Sequence, residues 1–233
     1  MTTEGERTMF EKSDYWQTYW SKESTPHNQQ DENGYKLWST EYECLVNLAS
    51  RRRIIEFACG DGEFYRRLKF GDDTYTGIDY SPAMVEEFKI RNPEAKAIIG
   101  DIRLYEQTES VDLIISSGLM QYLSVPDVKK SLRSCKSMLD KDGHILHLSI
   151  PWAAMRWRYY SGVGLGRPAS LTTVGKGLVV GALERIGARP AIGTWHSMSS
   201  LRRVAESEGL RAAFYGSLTH PYRFHARFTH KQA

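Results

Sequence analysis

The chain has 233 residues, of which 41% are hydrophobic and 25% charged, the composition of an ordinary globular protein rather than a disordered chain, and its length suits one α/β domain with appended pieces. The net charge of +3 conceals an asymmetry, because residues 151–233 hold 12 Lys and Arg against Glu184, Glu206 and Glu208, which leaves +9 there and −6 in the first 150 residues. Cys44, Cys59 and Cys135 are too few and too scattered for a disulfide framework or a zinc site. With no apolar leader and no bilayer-length apolar run in the sequence, a cytoplasmic setting is the expectation.

Taken in chain order, residues 10–22 place Trp16, Tyr19 and Trp20 on one face of a helix, and Tyr35–Ala49 does the same for Trp38, Tyr42, Leu45, Val46 and Ala49. Strands are predicted at Arg53–Ala58, Tyr75–Asp79, Ala95–Ile99, Val111–Ser116 and His144–Ile150. Helices are predicted at Glu63–Lys69, Pro82–Ile90, Val125–Leu139 and Met198–Glu208. This alternation argues for a parallel sheet with crossover helices. Ser81-Pro82 is a helix start, with serine as cap and proline in the first turn, and Asp142-Gly143 is a turn signal just before the fifth strand. Leu210–Gly216 and Tyr222–Thr229, joined by the turn-rich Ser217–Pro221, read as an antiparallel pair at one sheet edge. Residues 151–197 break the alternation with Trp152, Arg156, a Gly-rich stretch and an apolar helix at Leu178–Ile186. That is too long for an idle connection, and it leaves the sheet at the carboxyl ends of the strands, where open α/β sheets bind ligands.

The stretch Ile54-Ile55-Glu56-Phe57-Ala58-Cys59-Gly60-Asp61-Gly62 carries the chemistry. Ile54, Ile55 and Phe57 suit a strand buried on both faces. Ala58, Gly60 and Gly62 then remove bulk where the chain must turn and a ligand can approach. Asp79 closes the second strand 17 residues past Gly62, near the spacing at which an acid accepts hydrogen bonds from both ribose hydroxyls. A dinucleotide site would need a third glycine at position 65, which is Tyr65, so a nucleoside cofactor without phosphates is favoured.

Over residues 50–150 this pattern, with Gly100-Asp101 and the strand Asp112–Ser117, resembles the class I S-adenosylmethionine-dependent methyltransferases. The resemblance implies a Rossmann-like sheet of about seven strands, parallel except for an antiparallel last strand, with helices on both faces. It implies S-adenosylmethionine as cofactor, S-adenosylhomocysteine as product and no metal. It assigns the cofactor to Glu56, Ala58, Gly60 and Gly62, then to Asp79 and Tyr80 at the ribose and Asp101 with Ile102 at the adenine. Tyr19, Ser116 and Ser117 complete that set. Ala58 stands where the family usually has glycine. Within one folded unit the segments expected are an N-terminal helical lid over 1–50, a cofactor core over 51–150 and an acceptor lid over 151–197. Residues 198–233 supply the last helix and hairpin. A homodimer or membrane-surface contact is the alternative role for the insertion.

The reaction so implied is attack by an acceptor lone pair on the sulfonium methyl, in line with the leaving sulfur. Positioning can supply on the order of 7–11 kcal/mol of it, and a general base adds roughly 10²- to 10⁴-fold for a hydroxyl acceptor. His196 and His220 rank first as that base, from their places near the carboxyl ends of the strands. Trp20, Gln121, Tyr122, Trp152, Arg156, Tyr222 and Arg223 are the candidate acceptor-binding residues. The stretch Ser116–Tyr122 lacks the Asn/Asp-Pro-Pro-Tyr/Phe pattern of amino-methylating branches, so O-methylation of a small hydroxylated metabolite or sugar, anionic in one version, is preferred. An RNA methyltransferase and a non-catalytic cofactor-binding regulator or scaffold remain the alternatives, nucleic acid being disfavoured because no RNA-binding appendage is recognisable.

Overall fold

A computed structural model describes residues 32–46, 53–70, 74–161 and 193–231, with positions 175 and 179. The stretches read as an aromatic helix at 10–22 and an apolar helix at 178–186, with Tyr19 and Trp20, lie outside the described residues, apart from that single position 179. Seven strands form one sheet: β1 (Ile54–Phe57), β2 (Tyr75–Asp79), β3 (Lys96–Ile99), β4 (Val111–Ser117), β5 (Leu139–Pro151), β6 (Leu210–Gly216) and β7 (Arg223–His230). Their order is β3-β2-β1-β4-β5-β7-β6. The first five run parallel, and β7 is antiparallel to both β5 and β6. The helices are α1 (Glu32–Val46), α2 (Glu63–Leu68), α3 (Pro82–Arg91), α4 (Val125–Met138), α5 (Arg156–Ser161) and α6 (Met198–Ser207). Among the described residues no helix is long and apolar enough to cross a membrane.

The central strands are apolar on both faces because helices cover both. On one face Ile55, Phe57, Ile114 and Ile145 pack with Val128 and Leu132 of α4 and Leu201 and Ala205 of α6. On the other, Ile54, Leu113, Ile115 and Leu146 pack with Tyr42 and Val46 of α1, Phe64 and Tyr65 of α2 and Phe88 of α3. Each such side chain contributes about 1.5–3 kcal/mol, more than exposed ion pairs such as Arg91–Glu87 supply. Tyr65, in the place of a third glycine, fills the α2 interface instead, with its ring 4.7 Å from Tyr75 and 5.7 Å from Phe88.

Serines start three helices, since Ser81, Ser124 and Ser197 each accept a hydrogen bond from a first-turn N–H. Asp142-Gly143 departs from its reading as a turn ahead of the fifth strand. β5 begins at Leu139, directly after α4, and absorbs the turn signal as a register shift opposite Val111–Leu113. A Cβ at Gly143 would lie 3.0 Å from both the Val111 and Asp112 carbonyls, so the glycine permits that close pairing.

Candidate functional site

The carboxyl ends of β1, β2, β4 and β5 open on one side of the sheet, and the loop after β1 lines the first part of that edge. Ala58 (φ 57°) and Gly60 (φ 54°) adopt left-handed conformations, and Gly62 (φ 85°) caps α2. The two glycines serve different ends. Among the described residues a Cβ built on Gly60 meets nothing within 4 Å, whereas one on Gly62 would sit 2.4 Å from Asn92 Nδ2 and 2.9 Å from the Phe88 ring. Gly60 borders space that no described residue fills, and Gly62 is a packing glycine between α2 and α3. Ala58 stores backbone strain, since an L-residue in this region costs about 1–2 kcal/mol. Ala58→Gly is therefore expected to stabilise the fold by about 1 kcal/mol in urea titration, and an unchanged or lowered midpoint would refute the strain.

Asp79 binds this loop to the second strand. Its Oδ2 accepts the Gly60 N–H at 2.9 Å and its Oδ1 the Ser81 N–H at 2.8 Å. Burial raises the Asp79 carboxyl above its ordinary range, and the N–H groups of Ser81, Gly60 and Tyr80 offset part of that shift. Each oxygen retains a lone pair for a further donor. Tyr80 is half-buried beside it. Glu56 sits differently, fully enclosed, where it accepts a short hydrogen bond from the Tyr75 hydroxyl. Burial holds its carboxyl well above the usual carboxylate range. Asp101, past β3, accepts from the Arg103 backbone N–H (2.9 Å) and from Arg103 Nε at 2.9 and 3.0 Å, and a short bond from Nη2. Ile102 is buried beneath it.

At the end of β4 the side chains alternate as a strand requires. Ser116 turns inward and its Oγ lies 2.7 Å from His147 Nδ1, while Ser117 Oγ lies 3.3 Å from the Tyr42 hydroxyl. Gln121 and Tyr122 follow in a short 3₁₀ turn. A polar chain then crosses the edge. Glu41 of α1 accepts from Leu218 N–H (2.6 Å), the Thr219 hydroxyl (2.7 Å) and His225 Nε2 (2.9 Å). His225 Nδ1 accepts the Ser149 N–H at 3.2 Å, and Arg223 donates to the Ser149 carbonyl at 2.6 Å and to Gln121 Oε1 at 3.2 Å. Ser149 is itself left-handed (φ 59°), at the register shift in β5 between His147 and Ile150. Burial raises the Glu41 carboxyl, but the bonds from Thr219, Leu218 and His225 outweigh it and leave it below its ordinary range.

The ranked histidines occupy unlike places. His196 is 1% exposed, its Nε2–H donates to the Met120 carbonyl at 2.8 Å, and its backbone bridges Trp152 in parallel register. His220 is half-buried in the β6–β7 turn, with Nδ1 3.0 Å from the Thr219 hydroxyl. Burial lowers both imidazoles below the ordinary histidine value. Trp152 and Tyr222 meet along the same edge, the Trp152 N–H donating to the Tyr222 carbonyl. Tyr222 also packs on Tyr159 at 4.6 Å, and Tyr159 on Trp195 at 5.6 Å. Arg156 begins α5 nearby, half-buried. Glu41, Tyr42 and Ser149 were not legible as site residues. Glu41 and Tyr42 read as part of a helix, and no sequence signal marks a left-handed serine.

Comparison with known proteins bears on this geometry. Residues 54–143 match the family model described as a methyltransferase domain. Trans-aconitate 2-methyltransferase of Enterobacter sp. strain 638 is 31% identical over 100 residues, 42% of this chain and 38% of that protein. The enzyme of that name from Escherichia coli K12 DH10B is 29% identical over 108 residues, 46% and 42% of the two chains. This chain thus spans about two fifths of the length of those curated relatives. Among solved structures, the S-adenosylmethionine-bound amino pentose methyltransferase CalS10 from Micromonospora echinaspora superposes with a TM-score of 0.62 at 13% identity, covering 99% of this chain and 100% of that one. A TehB-like methyltransferase from Corynebacterium glutamicum gives 0.55 at 18% identity, covering 95% and 97%. At such identities the likeness is one of fold.

Proposed function

Because the chain carries a class I S-adenosylmethionine-dependent methyltransferase domain, we propose that it methylates an oxygen of a small anionic acceptor, a carboxylate in the first instance. The described residues fit the cofactor. Gly60 leaves free the space a Cβ would fill, and Asp79 keeps lone pairs for the ribose hydroxyls while its N–H partners fix its orientation. The resemblance assigns the adenine to Asp101 and Ile102, with Gly62 letting α2 pack against α3 behind the loop. When bound, S-adenosylmethionine supplies a methyl group on a sulfonium, already electrophilic.

The observation that carries the acceptor class is Arg223. Its guanidinium is held at the carboxyl end of β5 between the Ser149 carbonyl and Gln121 Oε1, 5.6 Å above the Tyr222 ring. A planar cation fixed by neutral partners suits a carboxylate. Two further observations favour an acceptor that arrives ionised. His196 has its Nε2–H committed to Met120 and its Nδ1 sealed in the interior, and His225 has both nitrogens engaged. A carboxylate oxygen needs no base; a hydroxyl does. Relatives named for trans-aconitate, a tricarboxylate, agree in chemistry. A hydroxyl or sugar acceptor is the second reading, favoured by His220, whose lowered basicity keeps it neutral near pH 7. On either reading Trp152, Arg156 and Tyr222 form the rim of the acceptor site.

The test is incubation with S-adenosylmethionine and matched panels of di- and tricarboxylates and neutral sugars, with S-adenosylhomocysteine release and product mass as readouts. The expected product is an alkali-labile methyl ester from an acid. An alkali-stable ether from a sugar, with no ester from any acid, would replace the first reading by the second.

A further inference from the structure

We propose that His225 is a positioning residue for the acceptor site: its bare Nδ1 holds Ser149 in a left-handed conformation, from which the Ser149 carbonyl aims the Arg223 guanidinium at the acceptor. This rests on the reading of Arg223 as the acceptor's partner. The geometry begins with an irregularity in the sheet. β5 pairs with β7 at His147↔Ala226 and again at Ile150↔Phe224, so Leu148 and Ser149 together oppose His225 alone. Such a bulge takes backbone groups out of the ladder and re-aims what lies beside it. At Ser149 side chains of β7 take up those groups: His225 Nδ1 accepts its N–H at 3.2 Å, and Arg223 Nη1 donates to its carbonyl at 2.6 Å.

Only one protonation state of His225 does this. The Ser149 N–H needs a lone pair on Nδ1, so the imidazole proton sits on Nε2, where Glu41 Oε1 accepts it at 2.9 Å. Glu41 is well anchored for the purpose, because the Leu218 N–H and the Thr219 hydroxyl also donate to it, and the His225 and Glu41 side chains are only 1% and 4% exposed. The Tyr42 ring meets the imidazole edge-on at 5.5 Å and fixes its plane. Ser149 needs this support, since a residue with a side chain keeps φ 59° only where its surroundings over-determine it. Without the bond to Nδ1, Ser149 relaxes toward an extended conformation and its carbonyl turns. Arg223 then keeps Gln121 Oε1 but loses the Ser149 carbonyl, and the plane of its fork is no longer set.

Steady-state kinetics on the full chain test this, with the acid that turns over fastest in a panel containing succinate, fumarate and citrate. His225→Gln places a donor where Nε2 was and no acceptor where Nδ1 was. It is expected to raise KM for the acid about tenfold, while kcat and the Kd of S-adenosylhomocysteine stay within about twofold of the wild type. His225→Leu, which also lacks the acceptor, should do the same and stands in if the glutamine variant does not fold. His225→Asn keeps an acceptor at the position of Nδ1 and should return KM to within about threefold of the wild type. Ser149→Gly makes the left-handed conformation cheap, so adding it to His225→Gln should recover most of the lost KM effect. Equal KM increases in His225→Gln and His225→Asn, or no recovery on adding Ser149→Gly, would show a merely structural role and overturn the proposal. Arg223→Gln tells which premise failed. If it raises KM and His225→Gln does not, the acceptor reading stands and the role of His225 is refuted; if it leaves KM unchanged, or no acid turns over, the acceptor reading falls and this proposal with it.

Discussion

Gly60→Val is expected to abolish binding of S-adenosylhomocysteine, by more than about 100-fold in Kd, while leaving the chain folded. The argument is geometric. A Cβ at this position points into space that no atom of the described residues occupies within 4 Å, so the added isopropyl group is set against a ligand rather than against these residues. The residue must also hold φ 54°, where a β-branched side chain is an outlier, and this should lower stability by about 1–2 kcal/mol. Gly62→Val is the control with the opposite profile. Its side chain would run into Asn92 and Phe88 and should cost about 3 kcal/mol of stability through overpacking and strain. Calorimetry and urea unfolding of both variants read the two effects apart. Near-normal affinity in Gly60→Val would mean that the loop after β1 does not approach the cofactor.

Much of this site's first half was legible because it depends on short-range rules. Ile54, Ile55 and Phe57 declare a buried strand, small residues declare the turn, and Asp79 follows at the end of the next strand; each signal is local. The paired β6 and β7 were equally readable from two β-rich runs and the Ser217–Pro221 turn between them. The proposed acceptor half was less legible because it is assembled from remote segments. Arg223 gains meaning only beside Gln121 and Ser149, which are 102 and 74 residues away along the chain. Glu41 reaches the β6–β7 turn over 177 residues to Leu218. Asp101 illustrates a different limit. The family resemblance implies a ligand contact for it, but a neighbouring arginine that takes its acceptor capacity is a matter of side-chain conformation, on which periodicity is silent. His147 shows the same ambiguity resolved, because a strand residue can face either way and the packing of Phe228 and the bond to Ser116 turn it inward.

That inward histidine predicts the second large effect, a steep loss of stability on acidification. His147 is completely buried, and burial, with a smaller repulsion from His196, lowers its pKa from 6.5 to about 4. The unfolded chain therefore binds a proton between those values that the folded chain does not, so stability rises with pH across this window. The contribution is fully present above pH 6.5, declines as pH falls, and is exhausted below about 4, where both states are protonated. A shift of this size corresponds to about 3 kcal/mol, a large share of a domain's net stability. His196 and His225, also lowered by burial, act with the same sign. Glu41 adds to the loss at lower pH, since its carboxyl is depressed in the fold and its hydrogen bonds weaken only as it protonates. Urea unfolding of the wild type and His147→Gln between pH 7 and 4 isolates the histidine. Glutamine can hydrogen-bond Ser116 but cannot take up the proton, so its stability curve should be flatter by about 3 kcal/mol over the window, whatever its starting level. Parallel curves would mean that His147 is protonated in the folded chain with its charge compensated, and that acid sensitivity arises elsewhere.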